Sequence, residues 1–153
     1  MSKHLLIVYH SKNGMNGQMA AAVQLGAVNP DVKIECRFKT ANESGVDDLL
    51  WADGIVFGTP ENFGYMSGAL KDFFDRTFYE VEGRVEGIPY CIFVGAGNDG
   101  TGAIDSIRRI CNGYSFREVQ EPLLVVGKLS NKDLELCEEL GLAMAAGLEA
   151  AIF

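Results

Sequence analysis

The chain is short of positive charge, has few histidines and scattered cysteines, and holds no long apolar run. Each shortage excludes something. Thirteen Lys and Arg stand against 21 Asp and Glu, for a net charge of −8 and a pI of about 4.7. A surface that acidic repels polyanions, so nucleic acid and anionic lipid are excluded as partners. The run Leu5–Tyr9 is too short for a leader's apolar core, and no other run approaches the ~18 residues of a span, so no membrane association is expected. Cys36, Cys91, Cys111 and Cys137 form no C-x-x-C pair and have no histidine nearby. They read as buried free thiols of a cytosolic protein, with no metal site. Of the two histidines, His4 opens the first apolar run and His10 precedes Ser11 without any triad motif. Both read as structural, and no side chain is assigned as a catalytic acid or base. Repeats and low-complexity linkers are absent too, which leaves one domain over residues 1–153, long enough to bury a full core.

What is present is alternation. KHLLIVY (3–9), GIVFG (54–58) and PYCIFVG (89–95) are short continuous apolar runs, as strands covered on both faces require. VKIECRF (32–38) alternates, with Val32, Ile34, Cys36 and Phe38 on one side, as a half-exposed edge strand would. PLLVVG (122–127) supplies a fifth strand. Helical stripes lie between them: Met19, Val23 and Ala27; Met66, Leu70, Phe73, Phe74 and Thr77; Ile104, Ile107 and Cys111; and Cys137, Leu140, Met144, Leu148 and Ile152. Ser130 and Asp133 form a capping box for the last. This pattern predicts an α/β fold of three layers, a five-stranded parallel sheet in the order 2-1-3-4-5 with helices on both faces. Ligands of such sheets bind beyond the carboxyl ends of the strands.

Three loops therefore matter. HSKNGMNGQMA (10–20) follows the first strand and runs into a helix, whose first amides make a site for a phosphate dianion, with Lys12 adding charge. It also reads as an ordinary capped turn. GTPENFGYMSG (58–68) follows the third strand, and Thr59-Pro60 is expected to end that strand. Phe63 and Tyr65 either cover exposed core or form an apolar wall for a flat aromatic ligand. VGAGNDGTG (94–102) follows the fourth strand with four glycines, which let backbone approach a ligand closely. Gly95, Gly97 and Gly100 formally spell a dinucleotide fingerprint, with Glu118 eighteen residues further on. That fingerprint normally opens the first strand–helix–strand unit, so its signal here is weak.

A phosphate at the first loop, a ring at the second and polar backbone at the third describe flavin mononucleotide. Residues 58–76, GTPENFGYMSGALKDFFDR, fit the pattern GTP-x-x-FG-x-MSG-x-x-K-x-F-x-DR. With them, nearly the whole chain resembles the flavodoxin-like flavoproteins, nearest to the branch of the Trp-repressor-binding-protein-type quinone reductases and NADPH-dependent FMN reductases. The resemblance implies FMN held by Ser11, Lys12, Asn13, Gly14, Met15 and Asn16 at its phosphate. Pro60, Glu61, Asn62, Phe63 and Gly64 would line the ring, and Ala96, Gly97, Asn98, Asp99, Gly100 and Gly102 its pyrimidine side. Asn13 and Asn16 stand where that family usually has threonine. Glu61-Asn62 replaces what is often Thr followed by Tyr or Arg, which puts an acid beside the ring position. Asn98-Asp99 occupies the neighbourhood where many quinone reductases carry a histidine.

The activity implied is electron transfer from NADH or NADPH to a quinone or other small acceptor. The competing reading is an electron carrier with a redox-protein partner, which the acidic surface favours. Members of the branch often form homo-oligomers, and no feature of this chain decides its state. A phosphoacceptor receiver domain shares the strand order but needs acids where Tyr9-His10 and Gly58 stand.

Overall fold

The computed structural model describes residues 1–12 and 14–153. The expected long strands are β1 (Lys3–Tyr9), β2 (Ile34–Thr40), β3 (Gly54–Asn62) and β5 (Pro89–Ala96), with a two-residue β4 (Tyr65–Met66) between the last two. They pair in parallel as β2-β1-β3-β5, and β4 turns back antiparallel on β3. The fifth position is shared by two short strands. β6 (Arg117–Glu118) pairs with the start of β5 and β7 (Leu123–Val126) with its end. The sheet thus has the anticipated 2-1-3-4-5 order, built from seven strands among the described residues.

Strand alternation divides each apolar run between two cores. Leu6, Val8, Ile55, Phe57, Ile92 and Val94 face α3 (Gly68–Val81) and α4 (Thr101–Tyr114). Leu5, Ile7, Val56, Cys91 and Phe93 face α1 (Met15–Ala27) and α5 (Asn131–Glu149). Continuous hydrophobicity in the sequence is therefore a double-sided requirement, with each fully buried side chain contributing about 1.5–3 kcal/mol of gross transfer energy. β2 keeps the predicted alternation: Ile34, Cys36 and Phe38, with Val32 just ahead of the strand, pack on the second core, while Glu35, and Lys33 ahead of the strand, are exposed.

Four local features differ from the expectation. β3 runs through Thr59-Pro60 to Asn62, since β5 extends alongside it and pairs Pro60 with Gly95. β1 has already ended at Tyr9, opposite Gly58, so β3 is an edge on that side and tolerates proline there. Met66 belongs to β4, not to a helix. Ile152 lies beyond α5 and is exposed, because the chain turns at Ala151 with φ 55°. A six-residue helix, α2 (Val46–Trp51), is too short to leave a periodic signal; Asp48 holds its start by accepting from the Gly45 amide (2.9 Å). The predicted box on α5 is present, with Ser130 accepting from the Asp133 amide and Asp133 from that of Ser130.

All four cysteines are free, three of them buried and Cys36 half-buried. Burial pushes the Cys36 thiol up to about 11 and that of Cys137 up to about 12, and raises Cys91 and Cys111 as well. Burial thus keeps the Cys36 thiol protonated at pH 8, whereas thiolate is the reactive form. Native protein should therefore react with a thiol reagent at pH 8 far more slowly than protein in denaturant, which should titrate all four; rapid native labelling would contradict this packing.

Candidate functional site

The carboxyl ends of β1, β3 and β5 bring the three loops together around a cleft of ≈ 250 Å³. Ser11, Lys12, Met15 and Asn16 come from the first loop and the start of α1, and Pro60 and Asn62 from β3. Gly95, Ala96 and Gly97 close the third side, and Gly127, just after β7, the fourth. Eight residues expected to bind the ligand thus line one space. Gly127 had no signal beyond ending an apolar run, and Gly95 was visible only as one glycine among four.

The first loop ends at Gly14, whose φ of 94° turns the chain into α1. Its amide donates to Ser11 Oγ (3.3 Å), and the first intrahelical bond runs from the Gln18 amide to the Gly14 carbonyl (2.8 Å). The amides of Met15, Asn16 and Gly17 precede that bond. No side chain among the described residues caps this end, and the first turn holds no acid. A helix start so arranged, with Lys12 beside it, is chemically suited to an anion. Asn13, expected in the same cradle, lies outside the described residues.

Asn16 is buried and engaged elsewhere. Its Nδ2 donates to the Gly95 carbonyl (3.1 Å) and its Oδ1 accepts from the Gly95 amide (3.0 Å). The side chain therefore clamps α1 to β5. Asn16→Ala would strand two buried backbone groups of Gly95, at a cost of about 2–4 kcal/mol. Thermal unfolding should show a drop of roughly 5–15 °C; a change under about 2 °C would show that the clamp carries no weight.

The second loop is a hairpin. Phe63 (φ 53°) and Gly64 (φ 70°) occupy a two-residue turn between Asn62 and Tyr65, with positive φ at both positions as a type I′ turn demands. Phe63 is fully exposed at the tip, and Tyr65 is partly exposed. The wall facing the cleft is Pro60 and Asn62, not the two rings. Glu61, expected beside the ring position, points to α4 instead: its carboxylate accepts from the amides of Gly100 (2.9 Å), Gly102 (3.1 Å) and Ala103 (3.4 Å). The hairpin is held further by the Met66 amide, which donates to Ser106 Oγ (3.0 Å). Behind it, Thr59 Oγ1 accepts from the Ser67 amide and Ser67 Oγ from that of Leu70, which starts α3.

The glycines of the third loop serve different neighbours. Gly95 leaves room for the Asn16 amide, Gly100 turns into α4 at φ 88°, and Gly102 receives the Gly64 backbone. Only Gly97 is open, with nothing within 4 Å of a Cβ built there. Asn98 and Asp99 are exposed, and Asp99 accepts from the Thr101 hydroxyl (2.8 Å). The formal dinucleotide fingerprint therefore has its first and third glycines filled by protein. Glu118 is taken by Arg108, at 2.8 and 3.0 Å.

His4 stacks on Trp51 with ring centroids 4.3 Å apart, and its Nδ1 lies 2.9 Å from the Trp51 carbonyl, at the opposite end of β1. The His10 amide donates to Gly58 (3.0 Å), while its buried Nδ1 has no partner among the described residues. A larger cleft of ≈ 720 Å³ opens between β2 and α2. Its cations Arg37 and Lys39 both pair with the single carboxylate of Asp48, and Glu43, Asp47 and Glu80 line it as well, so its balance is acidic and it is no site for an anion. Among the described residues no group of His, Cys, Asp or Glu could hold a metal ion, and no helix is long and apolar enough to cross a membrane.

A twisted parallel sheet of this order, with its cleft at the first, third and fourth loops, is the flavodoxin-like fold. A solved flavodoxin from the domain Archaea superposes with a TM-score of 0.83 over 95% of this chain and 98% of its own, at 22% identity. Residues 8–130 match the family described as NADPH-dependent FMN reductase, and the chain belongs to that family. Among curated relatives, a flavodoxin of Aquifex aeolicus is 35% identical over 98 residues, covering 64% of this chain and 52% of its own. An NAD(P)H dehydrogenase (quinone) of Acidithiobacillus ferrooxidans is 34% identical over 111 residues, covering 59% and 55%. The chain spans about half the length of these curated relatives.

Proposed function

We propose that the chain is an FMN-binding oxidoreductase that passes electrons from NADH or NADPH to a quinone or another small acceptor. The observation that carries this reading is the uncapped start of α1 opening into the same cleft as Pro60, Asn62, Ala96 and Gly97. Ser11, Lys12, Gly14, Met15 and the Asn16 backbone would hold the phosphate, with Asn13 in the same loop. Pro60 and Asn62 would pack on the ring, and the backbone of Ala96 and Gly97 would face its pyrimidine edge. The cleft is smaller than the ~300–1,000 Å³ of a typical enclosed ligand site. A dinucleotide-sized hole is not needed for a flat ring that keeps one edge outside, where a second small molecule can reach it. When bound, the flavin supplies the redox chemistry; the protein orients it and sets its electronics. Four free thiols fit a reducing compartment, and we place the protein in the cytosol.

One observation favours a carrier instead. A net charge of −8 steers toward a basic protein partner and away from anionic nicotinamide dinucleotides. The two readings separate under anaerobic stopped flow of the FMN-loaded protein. As a reductase, its flavin absorbance bleaches within seconds on adding NADH or NADPH and returns on adding a quinone. If neither nicotinamide bleaches it, but a reductase protein does, the carrier reading replaces the enzyme.

A further inference from the structure

Side-chain alternation along β3 sends Pro60 and Asn62 toward the cleft and Glu61 to the opposite side. There the Glu61 carboxylate meets the amides of Gly100, Gly102 and Ala103. These are the first donors of α4, whose own N-cap is a glycine and whose first turn contains no acid. A helix start left so would carry three orphan amides and roughly half a positive charge. Glu61 satisfies them from another strand. Because the same carboxylate bonds β3 to α4, it also fixes the wall formed by Pro60 and Asn62 relative to Ala96 and Gly97. Two other carboxylates lie near: Asp99 accepts from the Thr101 hydroxyl, and Asp105 sits in the second turn of α4; neither bonds these amides.

We propose that Glu61 is the positioning residue of the site, latching the ring wall to α4 and cancelling the positive end of that helix beside the cleft. The electrostatic half of this proposal rests on the FMN reading above. An uncompensated helix start next to the third loop would favour electrons on a bound ring; the carboxylate removes that advantage and holds the flavin's potential down. The residue acts through the helix and the wall, without touching the ligand.

Two variants divide the roles. Glu61→Gln keeps the shape and one acceptor oxygen but loses the charge. Glu61→Asp keeps the charge but is shorter by one methylene and cannot span the three amides. Hydrogen exchange of the amides at 100, 102 and 103 in flavin-free protein reads the latch. A dye-coupled redox titration of the FMN-loaded protein reads the charge. In Glu61→Gln, exchange at those amides should accelerate about tenfold or more, and the equilibrium constant for flavin reduction should rise about tenfold, the scale of a partly buried charge at a helix end. In Glu61→Asp, exchange should also accelerate while the reduction constant stays within about threefold of wild type, as a retained charge at a helix end requires. Unchanged exchange in Glu61→Gln overturns the latch. A reduction constant that falls, or moves no more than in Glu61→Asp, overturns the charge effect. If the wild type binds no FMN, the cofactor reading fails and the charge effect with it, while the exchange measurement still decides the latch.

Discussion

The Gly14→Val variant is expected to bind FMN at least ~100-fold more weakly than wild type while remaining folded, a loss of about 2.7 kcal/mol. The reason is conformational. A Cβ at this position would meet nothing within 4 Å, so no clash inside the protein forbids it. The φ of 94° does, since a β-branched residue is a gross outlier there. Valine would return the chain to negative φ and swing the amides of Met15, Asn16 and Gly17 away from the cleft. Gly14 is exposed and makes no core contact, so the fold should lose only about 1–2 kcal/mol of strain energy. The measurement is FMN titration by quenching of flavin fluorescence, with circular dichroism as the control for folding. An affinity within threefold of wild type would show that the start of α1 does not hold the phosphate.

Gly102→Ala is the second large effect, and its sign is the test. On an isolated helix, alanine for glycine is stabilising by up to about 1 kcal/mol. Here the added methyl would fall onto the backbone of Gly64, 2.7 Å from its carbonyl carbon. Backbone cannot rotate aside as a side-chain tip can, so the hairpin must move off α4. That shift breaks the bonds from Gly100 and Gly102 to Glu61 and from Met66 to Ser106. Overpacking with loss of these bonds should cost about 2–4 kcal/mol. Thermal unfolding should therefore fall by roughly 5–15 °C, and FMN affinity should fall with it because Pro60 and Asn62 leave their place. A higher melting temperature would mean that the hairpin is not docked as described.

The sheet was legible because burial on both faces leaves an unmistakable pattern. Leu5 to Val8 alternate between two cores, yet all four must be apolar, and a continuous run results. Which loops meet was legible for the same reason: the order of such a sheet dictates it, and residues of all three loops line one cleft. Less readable were the contacts that depend on distant partners. Asn16 looks like a phosphate donor in sequence, and nothing local says that Gly95, 79 residues away, will take both ends of its amide. Glu61 looks like an acid beside a ring. Its direction follows only once β3 is known to continue through Pro60, because alternation then assigns it to the far face. Phe63 and Tyr65 looked like a wall, whereas the turn that joins β3 to β4 places Phe63 at its tip in solvent. The splitting of the fifth strand left no trace beyond Pro122, which precedes the second of its two segments.

The central claim, that the cleft beside α1 is built around the phosphate of FMN, is tested most directly by titrating flavin-free protein with FMN and with riboflavin under the same salt. The two ligands share the ring and differ in the phosphate. Charge-assisted bonds from the amides of a helix start, with Lys12 beside them, should make FMN bind about 100-fold more tightly or better. Equal affinity for the two would contradict the account, since the ring would then bind without any help from the loop that defines the site.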